Sequence, residues 1–262
     1  MTQNQPRTMT VATINIRHDA DRWEERRPLL SERLIRLWPD VIALQEVALG
    51  IEQAAILQSD LNSDARTAVY AASAEPKYGK APIEGIGCLT RLPVIRSTRI
   101  ELPGDGWRIA QALDMQFGDA VVCVVNTHLH NEPADCEEIR AKQCDMIMEY
   151  IEREAASAPD KHWILAGDFN ATPSSETIER VLQTLVSAYP IIHGAEPEYT
   201  YPTPLVEDYN DPASYHCIDY IFTSPSIHVH DVRLICDEPS PDDPTLYPSD
   251  HYGLMATISI TV

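Results

Sequence analysis

Short apolar segments that end in polar side chains recur along this chain, and they constrain its fold more than any other feature. The segment HWILAGDFN, residues 162–170, begins as a buried strand and ends in Asp168, Phe169 and Asn170. Burying an unpaired carboxylate costs several kcal/mol. The packing of a core therefore does not by itself explain why a strand ends this way.

Other apolar segments end in the same way, and all are too short to span a bilayer. A lone Asn or Asp at a strand end is commonly a turn or cap residue, but here many such endings occur in one chain. Groups at the strand ends of α/β sheets converge on a common crevice, so we expect these side chains to meet. They are Asn15, Glu46, Asn126, His128, Asp219, Asp250 and His251.

Strand patterns predominate, and helical patterns lie between them. This order predicts an α/β fold with two packed sheets and helices outside them. No repeat or low-complexity linker divides the chain, so we assign residues 1–9 to a flexible N-terminal tail and 10–262 to a single domain. The expected helices cover 26–39, 134–156 and 175–186, and the expected strands include 10–17, 40–47 and 85–94.

Composition and charge narrow the function classes. Hydrophobic residues make up 44% of the 262 residues, which is enough for a sizeable core. The N-terminus has no apolar segment typical of a secretory signal, and the six cysteines form no C-x-x-C pair. We therefore expect a cytoplasmic protein with reduced, structural cysteines.

The formal charge of −20 comes from 40 acidic and 20 basic residues. Basic surfaces supply most of the affinity for long nucleic acids, so this charge disfavours tight nucleic-acid binding. Local arginines or a divalent cation can still hold a single phosphate. The charge therefore leaves phosphate chemistry open.

The carboxylates at the strand ends predict a cation. Two carboxylates about 4 Å apart repel by roughly 4 kcal/mol at an effective dielectric near 20. A cluster of Glu46, Asp168 and Asp250 would need raised pKa values or a bound cation, and its oxygen ligands suit Mg²⁺ or Mn²⁺. His128 and His130 share a strand face and could form another metal pair, but satisfied histidines are the simpler interpretation.

Seven short motifs occur in a recognisable order between Thr10 and Ala256: TINIR, LQEV, EGIGCLTRLPV, NTHL, GDFN, IDYIF and SDH. The ordered set resembles the endonuclease/exonuclease/phosphatase superfamily, also called DNase I-like. The block NIRHDADRWEERRPLL is similar to that of bacterial members. The resemblance implies a four-layer α/β/β/α sandwich, with two mainly antiparallel sheets, that hydrolyses phosphoester bonds with a divalent cation.

The resemblance also implies roles for the residues that match the motifs. Glu46 matches the principal metal ligand, with Asn15 beside it, and Asp250 matches a further acidic position near the metal. His251 matches the general base, and Asp219 matches the carboxylate that pairs with it. This agrees with the chemistry, since a carboxylate partner fixes the tautomer of a histidine and raises its basicity.

Four further positions match residues that handle the phosphate and the attacking water. Asp168 and Asn170 match those that position the water and contact the phosphate. His128 matches the histidine that stabilises the phosphoryl oxygens, and Glu84 matches a glutamate that orients it in some members. The chain reads THLHN where many relatives of this type read THLDH, which leaves the role of His130 open.

Arg17, Arg108 and Arg140 are candidate substrate-binding residues, although each could equally be a structural ion-pair residue. The loop 189–216 is rich in tyrosines, which could stack on a base or sugar or pack the loop against the domain. These alternatives bear on the substrate rather than on the reaction.

The sequence thus predicts a Mg²⁺- or Mn²⁺-dependent phosphoesterase, most simply a phosphodiesterase. The alternatives are a DNA or RNA nuclease, a phosphatase on lipid or sugar phosphates, and a binding scaffold without activity. The expected partner is a phosphoester substrate, either a small molecule or a nucleic acid. Neither a membrane nor an obligate protein partner is expected.

Overall fold

The computed structural model describes residues 7–63, 70–77, 83–104, 107–131 and 136–260. Within these ranges the chain forms twelve strands and five α-helices. The strands are β1 Thr8–Asn15, β2 Val41–Ala48, β3 Ala71–Pro76, β4 Glu84–Thr90, β5 Val94–Glu101, β6 Ile109–Phe117, β7 Ala120–His128, β8 His162–Asp168, β9 Val186–Ser187, β10 Asp219–Thr223, β11 Ile227–Ile235 and β12 Gly253–Ile260. The helices are α1 Trp23–Leu37, α2 Gln53–Asn62, α3 Glu137–Ser157, α4 Glu176–Leu182 and α5 Ala188–His193.

The strands form two six-stranded sheets, in the orders β11-β12-β1-β2-β4-β3 and β5-β6-β7-β8-β10-β9. Each sheet contains one parallel pair, β1 with β2 and β7 with β8. The other neighbouring strands run antiparallel. The predicted pair of mainly antiparallel sheets is confirmed.

The central strands are apolar on both faces because each face packs against a different layer. In β7, Val122 and Val124 belong to the core between the two sheets. Cys123 and Val125 belong to the core between their sheet and helices α3 and α4. Strands β1 and β2 alternate in the same way between the inter-sheet core and a core with α1 and α2. These three cores separate four layers, as the sequence predicted.

Several boundaries differ from the prediction. Strand β1 begins at Thr8, and Met9 is fully buried. Residues 8 and 9 therefore belong to the sheet rather than to a tail, and residues 1–6 lie outside the described residues. Helix α1 ends at Leu37, and Trp38 is left-handed with φ 50°, because a residue before proline disfavours the helical conformation.

The tyrosine-rich loop is more ordered than predicted. It contains α5 and two short 3₁₀ turns. The rings of Tyr199 and Tyr209 lie 4.6 and 5.3 Å from that of Tyr215. These contacts favour packing of the loop as the role of these tyrosines. No helix within the described ranges is long and apolar enough to cross a membrane.

Candidate active site

The polar strand ends meet at one edge of the sandwich. In the sheet register, His128 of β7 and Asp219 of β10 both pair with Asp168 at the end of β8. Asn15, at the end of β1 in the other sheet, donates from Nδ2 to Asp168 Oδ2 at 3.0 Å. The expected convergence is present, and it joins the two sheets.

The GDFN corner has the sequence that its close packing requires. Gly167 has φ 144°, and a Cβ there would lie 2.0 Å from the carbonyl oxygen of Thr127. The neighbouring strand thus excludes a side chain just before Asp168. Phe169 is fully buried, and its ring packs edge-on against Tyr220 and Phe222. These contacts fix the corner from which Asp168 faces the site.

Asp168 is the buried centre of this edge. Its Oδ1 accepts a hydrogen bond from the backbone N–H of Asn170 at 2.9 Å, and its Oδ2 lies 3.5 Å from His128 Nε2 and 3.9 Å from His251 Nε2. Burial raises the pKa of Asp168, and the charge of Asp219 raises it further. The site therefore favours a nearby positive charge.

Asp219 and His251 form a buried pair. Asp219 Oδ2 lies 2.9 Å from His251 Nδ1 and accepts a hydrogen bond from Thr200 Oγ1 at 2.6 Å. Burial by itself lowers the pKa of His251, but Asp219 outweighs it and, with Asp250 and Asp168, raises the value to about 10. The ring thus has one nitrogen fixed by a carboxylate and the other directed toward Asp168.

We expect Asp219→Asn to lower the pKa of His251 from about 10 in the metal-free protein, because the ring stays buried and loses its main counter-charge. A histidine whose folded pKa exceeds its ordinary value of 6.5 stabilises the fold fully below that value and loses this contribution as pH rises through the folded pKa. The stability lost in the variant should therefore be larger near pH 6 than near pH 10.

The measurements are an NMR titration of the His251 ring and denaturant unfolding at both pH values. Thr200→Val is the matched control, since it removes the hydroxyl that contacts Asp219 and keeps the carboxylate. An equal loss of stability at the two pH values would show that charge on His251 does not matter.

A second group of possible ligands lies on the other sheet. One atom from each of His18, Glu46 and Glu84 lies within 4.8 Å of the others. Glu46 has φ 51°, a sparsely populated conformation of the kind that clusters at functional sites. Asn15 Nδ2 donates to Glu46 Oε1 at 3.1 Å and so links the two groups. Two carboxylates with an imidazole fit a divalent cation, and the oxygen donors favour a hard one.

Lys77 is a cleft residue that the sequence-based prediction missed. Its Nζ contacts Glu84 Oε1. Burial, followed by the charge of Arg108, lowers the pKa of Lys77 to about 7, although Glu46 and Asp168 act in the opposite direction. His18 was missed as well. Lys77 lies in a segment that no motif marks, and His18 lies in the block NIRHDADRWEERRPLL, where the resemblance assigned no role to that position.

Asn15 and Asp250 were predicted to lie at the metal, but their side chains contact other groups of the protein. The carboxamide oxygen of Asn15 accepts the backbone N–H of Arg17 at 3.0 Å, and its nitrogen serves Glu46 and Asp168. Asp250 Oδ2 contacts the guanidinium of Arg17, and Asp250 belongs to neither ligand group found in the described residues. Asn15 therefore orients carboxylates, and Asp250 is held by an arginine.

His128 is buried and faces Asp168. Burial lowers its pKa well below the ordinary value, and the charges of Arg108, Lys77 and His251 add to the effect. A neutral ring results. The predicted orientation of His128 by Glu84 is not what the described residues show, because Glu84 pairs with Lys77 and His128 Nδ1 is buried with no hydrogen-bond partner there.

The other predicted arginines are both buried. Arg108 donates to Asn131 Oδ1 at 2.6 Å, and its charge acts on both His128 and Lys77, so it lies near the cleft. Arg140 contacts Glu137 of its own helix and the carbonyl of His130. These contacts of Arg140 fit a structural role.

Asn126 braces the two sheets beneath the site. Its Nδ2 donates to the carbonyls of Leu44 and Gly87 at 2.9 and 2.8 Å, and its Oδ1 accepts from Gln45 Nε2 at 2.7 Å. The side chain of Asn126 thus forms hydrogen bonds with backbone carbonyls of the opposite sheet. It therefore differs in function from Asp168 and His128.

The chain is similar to known proteins over nearly its whole length. Residues 12–251 match the model of the endonuclease/exonuclease/phosphatase family. Human Nocturnin is 28% identical over 270 residues, which cover 93% of this chain and 60% of that protein. Nocturnin of Xenopus laevis is 26% identical over 266 residues, which cover 92% and 66%. The chain thus spans about 60% of the length of the human relative.

Solved structures agree with this similarity. The human Nocturnin catalytic domain with bound sulfate anion superposes with a TM-score of 0.77 at 25% identity, covering 97% of this chain and 95% of that one. Truncated TDP2 of Caenorhabditis elegans has the same fold, with a TM-score of 0.78 at 21% identity and coverage of 96% and 97%. The family model spans most of the sequence and all of the strand ends described above. The chain therefore belongs to the endonuclease/exonuclease/phosphatase family.

Proposed function

We propose that this protein is a divalent-metal-dependent phosphodiesterase that cleaves its substrate by in-line attack of water. The observation that carries the proposal is the buried group of Asp168, Asp219 and His251, whose possible ligand atoms lie within 4.8 Å of one another. Glu46 of the opposite sheet is linked to this group through Asn15. Phosphoester hydrolysis needs a base for the attacking water and a cation for the phosphate. The first ligand group offers an imidazole held by a carboxylate, and the group around Glu46 offers ligands for a cation.

His251 is the proposed general base. Asp219 holds its Nδ1, so Nε2 of the neutral ring would accept a proton from the attacking water. A cation bound at Glu46 would favour that neutral ring, because its charge would oppose the carboxylates that raise the pKa of His251. Asp168 lies 3.9 Å from that nitrogen and is the proposed acceptor that orients the same water. Burial of both carboxylates and the ring excludes bulk solvent from the proton transfer.

His128, Asn170 and Arg108 are the proposed donors to the phosphate oxygens. A neutral imidazole keeps one N–H, which can donate a hydrogen bond to an oxyanion. Asn170 has φ 49°, its backbone N–H donates to Asp168, and its Nδ2 donates to the carbonyl of Leu129 at 3.2 Å, which leaves the second hydrogen of the amide for a phosphate oxygen. The sulfate bound by the human Nocturnin catalytic domain, an anion with the shape of phosphate, supports an anion site in this fold.

Glu46, with Glu84 and His18, would hold the divalent cation, which we propose is Mg²⁺ or Mn²⁺. When bound, the cation would offset the negative charge that grows on the phosphate during attack. Asn15 orients the Glu46 carboxylate by donating to Oε1. Asp250, paired with Arg17, is proposed to lie beside this centre without binding the cation. Arg17 stays a candidate substrate-binding residue, and Arg140 is proposed to be structural.

We further propose that the chain from Thr8 onward acts as one domain in the cytoplasm on a phosphoester substrate. The single family match across 12–251 supports one unit. The substrate is a small molecule or a nucleic acid, and the charge of −20 favours the former. Neither a membrane nor an obligate protein partner is part of the proposal.

The test compares hydrolysis of bis(p-nitrophenyl) phosphate with that of p-nitrophenyl phosphate, in Mg²⁺, in Mn²⁺ and in EDTA. We expect cleavage of the diester that requires either metal and stops with EDTA. A plasmid-nicking assay under the same conditions would reveal a nuclease. Cleavage of the monoester alone would support a phosphatase, and inactivity in every assay would support the scaffold alternative.

A further inference from the structure

An apolar pocket lies beside β9, the edge strand of its sheet. The cavity measures about 490 Å³ and lies between α4, β9 and α5. Ile178 and Leu182 of α4, Val186 of β9 and Ile191 of α5 form most of its apolar wall. Leu182, Val186 and Ile191 are 47%, 40% and 49% exposed. Exposed apolar side chains that cluster in this way commonly mark a binding site.

This pocket is separate from the candidate active site. Strand β9 pairs with the end of β10, where Ser187 lies opposite Phe222 and Val186 lies opposite Thr223. Asp219 is at the other end of β10. None of the lining residues belongs to either ligand group found in the described ranges. The pocket is therefore a second concave site on the same sheet.

One carboxylate interrupts the apolar wall of this pocket. Glu196, which follows α5, lines the cavity and is half-buried. Burial raises the pKa of Glu196. The hydroxyl of Ser187 opposes this effect, but it forms no hydrogen bond of normal geometry with any described residue. The protein itself thus gives this carboxylate little stabilisation.

The basic side chains of the two helices do not neutralise Glu196. Arg180 of α4 pairs with Asp145, and Nε2 of His193 in α5 lies 2.7 Å from a backbone carbonyl oxygen of β11. Glu196 forms no ion pair with any residue that the structure describes. Charges removed from water are normally paired. A half-buried carboxylate without a cation in an apolar pocket therefore favours a ligand that brings the cation.

We infer that this pocket binds a small organic cation, an ammonium or amidinium group carried on an apolar chain or ring. The charged group would pair with Glu196, and the apolar part would contact Leu182, Val186 and Ile191. The cavity volume lies within the range of about 300–1,000 Å³ for small-molecule sites, which are mainly apolar with a few polar groups. The formal charge of −20 favours a cation over a second copy of this chain, which would be repelled.

The test is an NMR titration of the full chain with n-hexylammonium, with n-hexanol as the neutral analogue of the same length. We expect saturable shifts of backbone amides within 178–196 for the amine, and at least tenfold weaker binding of the alcohol. Glu196→Gln should weaken binding of the amine at least tenfold. Glu198→Gln is the matched control, because it makes the same change at an exposed position two residues away, and it should bind the amine as the wild type does.

Circular dichroism checks that Glu196→Gln folds, and the comparison of amine with alcohol on the wild type tests the inference if it does not. No saturable shift within 178–196, equal affinity for amine and alcohol, or undiminished binding in folded Glu196→Gln would overturn the inference. Binding is measured without diester hydrolysis, so failure here is distinct from failure of the proposed function.

Two further measurements identify other occupants of the pocket. A wild-type dimer in sedimentation velocity that dissociates in Ile191→Asp would assign the pocket to a second copy of the chain. Binding of the peptide acetyl-Leu-Lys-Leu-amide without binding of n-hexylammonium would assign it to a partner protein. Either result would overturn the assignment to a small organic cation.

Discussion

His251→Ala is expected to lower kcat for diester hydrolysis by roughly 10²- to 10⁴-fold, the range that a positioned general base contributes. The wild-type ring has its Nδ1 fixed by Asp219 at 2.9 Å and its Nε2 directed toward Asp168. Alanine leaves no group there to accept a proton from water. Metal binding should persist, because the ligand group around Glu46 lies on the opposite sheet.

The measurement is steady-state kinetics at saturating metal, together with metal binding by the same variant. His228→Ala is the matched control, since it makes the same change on the exposed side of β11 and should retain wild-type kcat. Retention of more than about a tenth of wild-type kcat in His251→Ala would rule out His251 as the general base.

Glu46→Gln is expected to raise the metal concentration for half-maximal activity on the order of 100-fold, about 2.7 kcal/mol in binding free energy. The glutamine oxygen can still accept the hydrogen bond from Asn15, so the geometry of the site survives while one negative charge is lost. A large excess of Mn²⁺ should therefore restore part of kcat by mass action, which separates this variant from His251→Ala.

Metal titrations of activity and direct binding measurements check this expectation. Glu24→Gln, on the exposed first turn of α1, is the control for the loss of one carboxylate. An unchanged metal requirement in Glu46→Gln would place the cation elsewhere in the cleft. A variant that excess Mn²⁺ cannot rescue, although it binds Mn²⁺, would show that Glu46 takes part in the reaction itself.

Much of the fold could be predicted from the sequence, because the central strands carry an unambiguous signal. Segments such as AVVCVV are apolar on both faces, and they can be buried only between layers. Strand β3, AASAEP, was missed because Ala, Glu and Pro are depleted in strands. It forms because it pairs with β4 along its length, and this pairing depends on the tertiary structure rather than on local strand propensity. Helix α2, QAAILQSDLN, has only a weak apolar stripe and was missed for a similar reason.

Some residues of the candidate site could likewise be predicted from the sequence, and others could not. Asp168, Asp219 and His251 could be found because each interrupts or adjoins an apolar strand, where a polar group has no folding purpose. Lys77 and His18 could not, because surface loops contain lysine and histidine for many reasons. Their relation to Glu84 and Glu46 exists only after the two sheets and the connecting loops are in place.

The sequence by itself thus determined the layers, the strand ends and the class of reaction, because apolar segments and the order of motifs can be recognised along the chain without knowledge of its folded contacts. The tertiary structure decided which charges face each other. Arg17 and Asp250 are far apart in sequence, and their contact depends on left-handed backbone at residue 17 and on the carbonyl contacts of Arg26. An arginine carries no sequence signal for that conformation, so only the folded chain shows that Asp250 already has a cation.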